Sequence, residues 1–155
     1  MEPKSKAYLD TFLASLPPDV QANYTQFDAY YFCADEQSAN HCADLVLEGE
    51  KRATAGLFWS YEAENEDLPE IGGLSVITNW DGEPKCIIET IAVEIQPYNQ
   101  VSAEFAFEEG EGDKTLEFWR RVHWEFFSRE CEEIGKEPTE EMLVVLEKFK
   151  VIYKQ

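Results

Sequence analysis

The chain has 155 residues, 44% of them hydrophobic and 14% aromatic, with 32 acidic against 13 basic side chains and a formal net charge of -19. That apolar content suits a single folded domain over residues 1–155 and excludes a disordered polyelectrolyte. The charge excludes a broad grip on long duplex nucleic acid, which depends on many Lys and Arg phosphate contacts; a short single strand or a nucleotide in one local basic pocket stays compatible with it.

The amino terminus, MEPKSKAYLD, lacks the charged-then-apolar pattern of a secretory signal. No apolar run approaches the ~18 residues of a membrane span, so a cytoplasmic protein without a membrane partner is expected. Cys33, Cys42, Cys86 and Cys131 have 8, 43 and 44 residues between them, with no CxxC pair and no histidine at zinc spacing. They are expected to be separate, reduced thiols packed as small hydrophobes, and no metal ligand is assigned.

In chain order, residues 5–15 predict a short amphipathic helix with Tyr8, Leu9, Phe12 and Leu13 on one side, stopped by Pro17-Pro18. Residues 1–25 then form a helical N-terminal extension. Tyr24 to Cys33 is aromatic-rich and contains a strand. Asp35 is the N-cap of a second helix in which Ala39, Cys42, Ala43 and Val46 recur at helical spacing, and Gly49 ends it. Ala53 to Trp59 reads as a strand. Gly73–Trp80 and Lys85–Gln96 read as a hairpin about the Asp81-Gly82 turn, and Pro97 ends the return strand. Residues 102–108 predict a helical turn and residues 109–113 an acidic loop. A long helix spans about 114–134. Pro138 opens a short helical turn, and a last strand lies around 148–152. Helices interspersed with β-rich hairpins indicate an α+β fold with a mostly antiparallel sheet.

Two features stand out against this background. On the long helix, Leu116, Trp119, His123, Phe126, Phe127, Glu130 and Ile134 share a broad face. The ionisable His123 and Glu130 on that face must be paired or must border a cavity, because an unpaired ion in a core costs several kcal/mol. The second feature is the stretch LEGEKRATAGL, where Lys51 and Arg52 stand together in a strongly acidic chain. A solvated turn would account for them. For Lys51 and Thr54 to serve one site instead, Lys51 must lie in the turn before the strand begins, because in a regular strand positions 51 and 54 face opposite sides.

Gly49-x-Lys51-x-x-Thr54 entering a strand, followed by Trp59-x-Tyr61, the acidic loop Glu109-Gly110-Glu111-Gly112-Asp113, and Trp119…His123-Trp124-x-Phe126-Phe127-Ser128-Arg129-Glu130, resembles the ASCH domain family in its longer bacterial form. The likeness runs from about Tyr30 to Tyr153. It implies a PUA-like β-barrel with flanking helices and an association with RNA. Some small members hydrolyse N4-acetylcytidine through the lysine and threonine of GxKxxT and a downstream glutamate. A longer member is a ribonuclease that uses the motif lysine and a helix serine. Carried over, these roles fall on Lys51, Thr54, Glu111 (with Glu109 as the alternative) and Ser128. Arg52, Trp59, Trp124 and Arg129 are the accompanying substrate-binding candidates.

Two readings of these residues stay open. Lysine can serve as a base or focus charge on a ligand oxygen, threonine can be activated as a nucleophile, and a carboxylate can orient either one. The same trio can instead hold a nucleobase, with lysine on a carbonyl, glutamate on an exocyclic amine and tryptophan stacked on the ring. The expectation is therefore a hydrolase or a non-catalytic binding module for a nucleoside, nucleotide or short single-stranded RNA. It needs no cofactor, with a divalent ion at the acidic loop as the alternative.

Overall fold

Asp35 begins the third helix as its residue type dictates, its carboxylate accepting from the Ser38 backbone N–H across the helix N-terminus. Such local rules account for most of the secondary structure in the computed structural model, which describes residues 1–154. The helices are α1 (Pro3–Ala14), α2 (Pro18–Gln21), α3 (Glu36–Leu47), α4 (Phe58–Glu64), α5 (Ala103–Glu109) and α6 (Leu116–Glu133). The strands are β1 (Phe27–Tyr30), β2 (Ala53–Leu57), β3 (Leu74–Thr78), β4 (Pro84–Pro97) and β5 (Leu143–Lys154). They form one sheet in the order β1-β3-β4-β5-β2. β3 pairs antiparallel with β4 and β2 with β5, whereas β1 runs parallel to β3. The α+β class and the mostly antiparallel pairing expected from the sequence hold, with the β1–β3 pair as the parallel exception.

The chain packs as two compact units. The first comprises residues 1–50 and 70–91 and the chain end from Phe149. In it Leu9 and Phe12 of α1 pack with Leu74, Val76 and Ile87, while Phe32, Cys42, Ala43 and Val46 pack with Ile77, Cys86, Ile88 and Phe149. The period-four stripe of α3 is thus its buried stripe, and each large apolar side chain buried this way contributes about 1.5–3 kcal/mol. One expectation fails here. Cys33 and Cys42 are not separate thiols: the chain turns back between Phe32 and α3, and their sulfurs lie 3.3 Å apart.

The second unit comprises residues 51–69 and 92–148. Ala53 and Leu57 of β2, Phe105 and Ala106 of α5, Trp119, Phe127 and Cys131 of α6, and Val144 and Leu146 of β5 form its core. Three local differences from the sequence expectations fall here. The strand expected over 53–59 ends at Leu57, and Phe58 starts α4. Gly56 permits this reversal, because the Tyr61 ring folds back over it and an added Cβ would lie 3.0 Å from that ring. After Pro138 there is a single hydrogen-bonded turn and no helix: the Met142 N–H donates to the Thr139 carbonyl, and the Tyr98 and Asn99 N–H groups bond to the Met142 and Glu140 carbonyls. The last strand also begins at Leu143, earlier than expected, because β2 supplies its partners from Lys148 back to Val144.

Candidate functional site

Lys51 is 2% exposed, so the solvated-turn account of the basic pair does not apply to it. Gly49, at φ +80°, ends α3 and releases the chain, and the neighbouring Arg52 N–H bonds to the Glu108 carbonyl. Lys51 therefore enters the second unit just before β2. Its Nζ lies 2.9 Å from the Ala53 carbonyl, 3.3 Å from the Glu109 carbonyl, 2.9 Å from Glu109 Oε2 and 2.9 Å from Glu111 Oε2. An ammonium has three protons to donate, and here four acceptors surround it.

The two carboxylates reach one cation because of glycine. Glu109 is the last residue of α5, and Gly110 caps the helix in the left-handed conformation at φ +72°. Gly112 repeats that conformation at φ +58°, directly against the Phe118 ring, where a Cβ would approach to 2.2 Å. Two left-handed residues two positions apart fold the loop so that Glu109 and Glu111 face the same way. Thr115 then caps α6, its hydroxyl accepting from the Phe118 N–H.

Glu109 is 2% exposed and joins the lysine to α6. Its other oxygen, Oε1, accepts from Trp119 Nε1 at 2.9 Å and lies 3.2 Å from His123 Nε2. The His123 ring stacks on Trp119 at 4.1 Å between centroids, and its Nδ1 lies 2.9 Å from the Trp119 carbonyl. Burial alone would raise the Glu109 carboxyl, but the positive charges of Lys51 and then His123 outweigh it and hold the group below the usual carboxylate range. Burial likewise pulls His123 down, and Glu109 overcomes this to raise it above the ordinary histidine value. With His123 protonated, two cations face two anions and the buried cluster is neutral. Glu111, whose side chain is 24% exposed, is the member most open to solvent, ahead of His123 at 12%.

Ligand atoms of Glu109, Glu111 and His123 come within 4.8 Å of one another, a spacing that suits a small cation. Lys51 already places its charge between the two carboxylates, so a divalent ion would have to displace the lysine. Beside the cluster is a cavity of about 10 Å³ lined by Ala106, Val122, Phe118 and the Glu109, Glu111, Trp119 and His123 side chains, space on the scale of one water.

The other candidates are dispersed. Thr54 is on β2 opposite Glu147, and strand alternation turns it away from the face on which Ala53, Ala55 and Leu57 meet the core. None of the four acceptors around Lys51 is Thr54. Ser128 follows His123 by five residues, about 140° around the helix, and its buried Oγ has no hydrogen-bond partner among the described residues. Trp124 lines an open groove of about 430 Å³ with Tyr98, Arg120, Arg121 and Glu140. Trp59, at the start of α4, lies under the Lys136 ammonium, and Arg52 and Arg129 are exposed. Glu130, the second ion on the apolar face of α6, is paired by the Ser60 hydroxyl at 2.7 Å; burial raises its carboxyl above the ordinary value.

The structure therefore sets Lys51 beside both Glu111, the carboxylate the sequence put first, and Glu109, its alternative, with Glu109 as the hub. The signal for it was the polar intrusion of His123 on the Trp119 face, since a half-buried histidine one turn beyond a buried tryptophan calls for a shared acceptor.

Known proteins share this fold. The sequence profile of the ASCH domain matches residues 28–153. The crystal structure of an ASCH domain from Lactobacillus crispatus JV V101 is 54% identical, with a TM-score of 0.94 over 99% of this chain and 96% of that one. A protein from Enterococcus faecalis V583 is 30% identical, with a TM-score of 0.84 over 98% and 90% of the two chains. No curated protein sequence matches significantly. The chain belongs to the ASCH domain family.

Proposed function

We propose that the protein binds a nucleoside or a short single strand of RNA, with the Lys51–Glu109–Glu111 centre reading the base. The observation that carries this is the partly exposed Glu111 carboxylate, seated on a buried lysine that a second, fully buried carboxylate holds in place. A hydrophobic replacement of such a cluster is often as stable or more so, so stability alone does not call for four ionisable groups here. Glu111 is suited to accept from the exocyclic amine of a base. When it turns outward, the Ala53 carbonyl and Glu109 still hold the Lys51 ammonium behind it. The acidic surface favours a small ligand over a long polyanion.

Hydrolysis is the second reading. It is favoured by the water-sized cavity against Glu109, Glu111 and His123, where a carboxylate or imidazole could take a proton from water. Lys51 is less suited to be the base, because acceptors already occupy its protons. Ser128 has a hydroxyl with no hydrogen-bond partner among the described residues, but it lies about 140° from His123 around α6.

Calorimetric titration with cytidine, N4-acetylcytidine and a short single-stranded RNA, with chromatography of the same mixtures for products, tests both readings. Glu111→Gln is the informative variant, since the side chain is partly exposed and the fold tolerates the isosteric change. Loss of a charged hydrogen bond should weaken binding by about 10- to 100-fold. Unchanged affinity in a correctly folded variant would remove Glu111 from the site. Product formation by the parent protein that Glu111→Gln abolishes would favour the hydrolase over the binding module.

A further inference from the structure

The turn between β1 and α3 brings two thiols together. Cys33 is exposed and Cys42 is buried on α3, and their sulfurs are 3.3 Å apart with one S–H directed at the other sulfur. A disulfide has an S–S length of about 2.05 Å, so bond formation needs an approach of about 1.3 Å. Cys33 also has φ +69°, a conformation a non-glycine residue rarely holds. The turn that brings its side chain back over α3 requires it. The other two thiols are different: Cys86 and Cys131 are both buried, and burial pushes Cys86 up to about 12. Among the described residues, Cys33 is the exposed cysteine, and Cys42 is the thiol within its reach.

We infer that Cys33 and Cys42 form an oxidant-reactive dithiol, a modification site at which a peroxide converts the pair to an intramolecular disulfide. The exposed Cys33 sulfur, as thiolate, attacks one peroxide oxygen. The S–O bond forms, the O–O bond breaks, and the departing hydroxide takes up a proton as water. Cys33 is then a sulfenic acid. The Cys42 sulfur attacks the Cys33 sulfur, the S–S bond forms, and the S–O bond breaks. The hydroxyl leaves with the Cys42 proton as a second water. Two thiols lose two electrons and the peroxide gains them. Burial of Cys42 protects it from direct attack and makes it the resolving partner. The closed ring ties the segment before α3 to the second turn of that helix, and a dithiol reductant reverses it.

The test is quantitative alkylation of the intact protein in denaturant, before and after hydrogen peroxide, followed by peptide mass spectrometry. The four thiols that alkylate in the reduced protein should fall to two, at Cys86 and Cys131. One cross-linked species two hydrogens lighter should join Cys33 to Cys42, and dithiothreitol should restore all four. Cys33→Ser, at an exposed position that leaves the core intact, should keep all three remaining thiols alkylatable after the same treatment. Cys42→Ser should stop at a Cys33 sulfenic acid trapped by dimedone. Four alkylatable thiols after peroxide, a link through Cys86 or Cys131, or unaltered oxidation in Cys33→Ser would each overturn the assignment.

Discussion

Removing the Lys51 ammonium leaves two carboxylates facing each other, one of them fully buried. Lys51→Met should therefore destabilise the protein by about 3–5 kcal/mol, the cost of breaking a buried ion pair from one side, read as a lower midpoint in urea. A change below 0.5 kcal/mol would return Lys51 to the surface. Because this variant is compromised in folding, loss of binding in it says little about recognition, and Glu111→Gln carries that question. His123 and Glu109 set the pH dependence. The folded histidine titrates above its ordinary value of about 6.5, so its stabilisation is complete below that pH and is lost as pH rises through the folded value. The folded Glu109 carboxyl titrates below its ordinary value of about 4.3, so its contribution is present above that pH and is lost as pH falls through the lower folded value. Stability from this pair should plateau between about pH 4.3 and 6.5. His123→Gln should flatten the alkaline limb of a plot of urea midpoint against pH; an unchanged limb would place the titration elsewhere.

At the scale of elements, the acidic loop is held by backbone conformation as much as by charge. Gly112 and Gly135 both adopt positive φ, at +58° and +74°. Space around Gly135 is open, whereas Gly112 is covered by the Phe118 ring. Gly135→Ala should therefore cost only the left-handed penalty, about 1–2 kcal/mol. Gly112→Ala adds a clash with an aromatic side chain and should cost about 1–3 kcal/mol more. It should also move Glu111, so ligand affinity should fall with stability in Gly112→Ala and hold in Gly135→Ala. Equal losses in the two variants would mean that Phe118 swings aside freely. The same scale shows where periodicity misleads. Ala53 to Trp59 has strand-like composition throughout, yet Phe58 starts a helix because the Tyr61 ring needs the space above Gly56. Local propensity contains no term for that ring.

For the molecule as a whole, the -19 charge bears on the proposed class of ligand. Exposed Arg52, Arg121 and Arg129 are scattered cations in an acidic chain. Fluorescence anisotropy at physiological salt should show negligible binding of a long RNA duplex. A short single strand should bind with a shallow dependence on salt, since few counterions are released. Tight duplex binding with a steep salt slope would contradict the proposed ligand class. No helix among the described residues is long and apolar enough to cross a membrane. The sequence by itself determined whatever depends on neighbours along the chain. It placed the caps at Asp35 and Gly49, the buried stripe of α3, the hairpin about Asp81-Gly82, the span of α6 and the family motifs. Periodicity and turn chemistry act over a few residues and leave their mark directly. Only the tertiary structure decided that Glu109, rather than Glu111 alone, grips Lys51, that Thr54 faces away from the core side of β2, and that Cys33 meets Cys42. Each of these depends on how separate segments close on one another, where a left-handed glycine or one aromatic ring can redirect a side chain that the linear pattern leaves free to point either way.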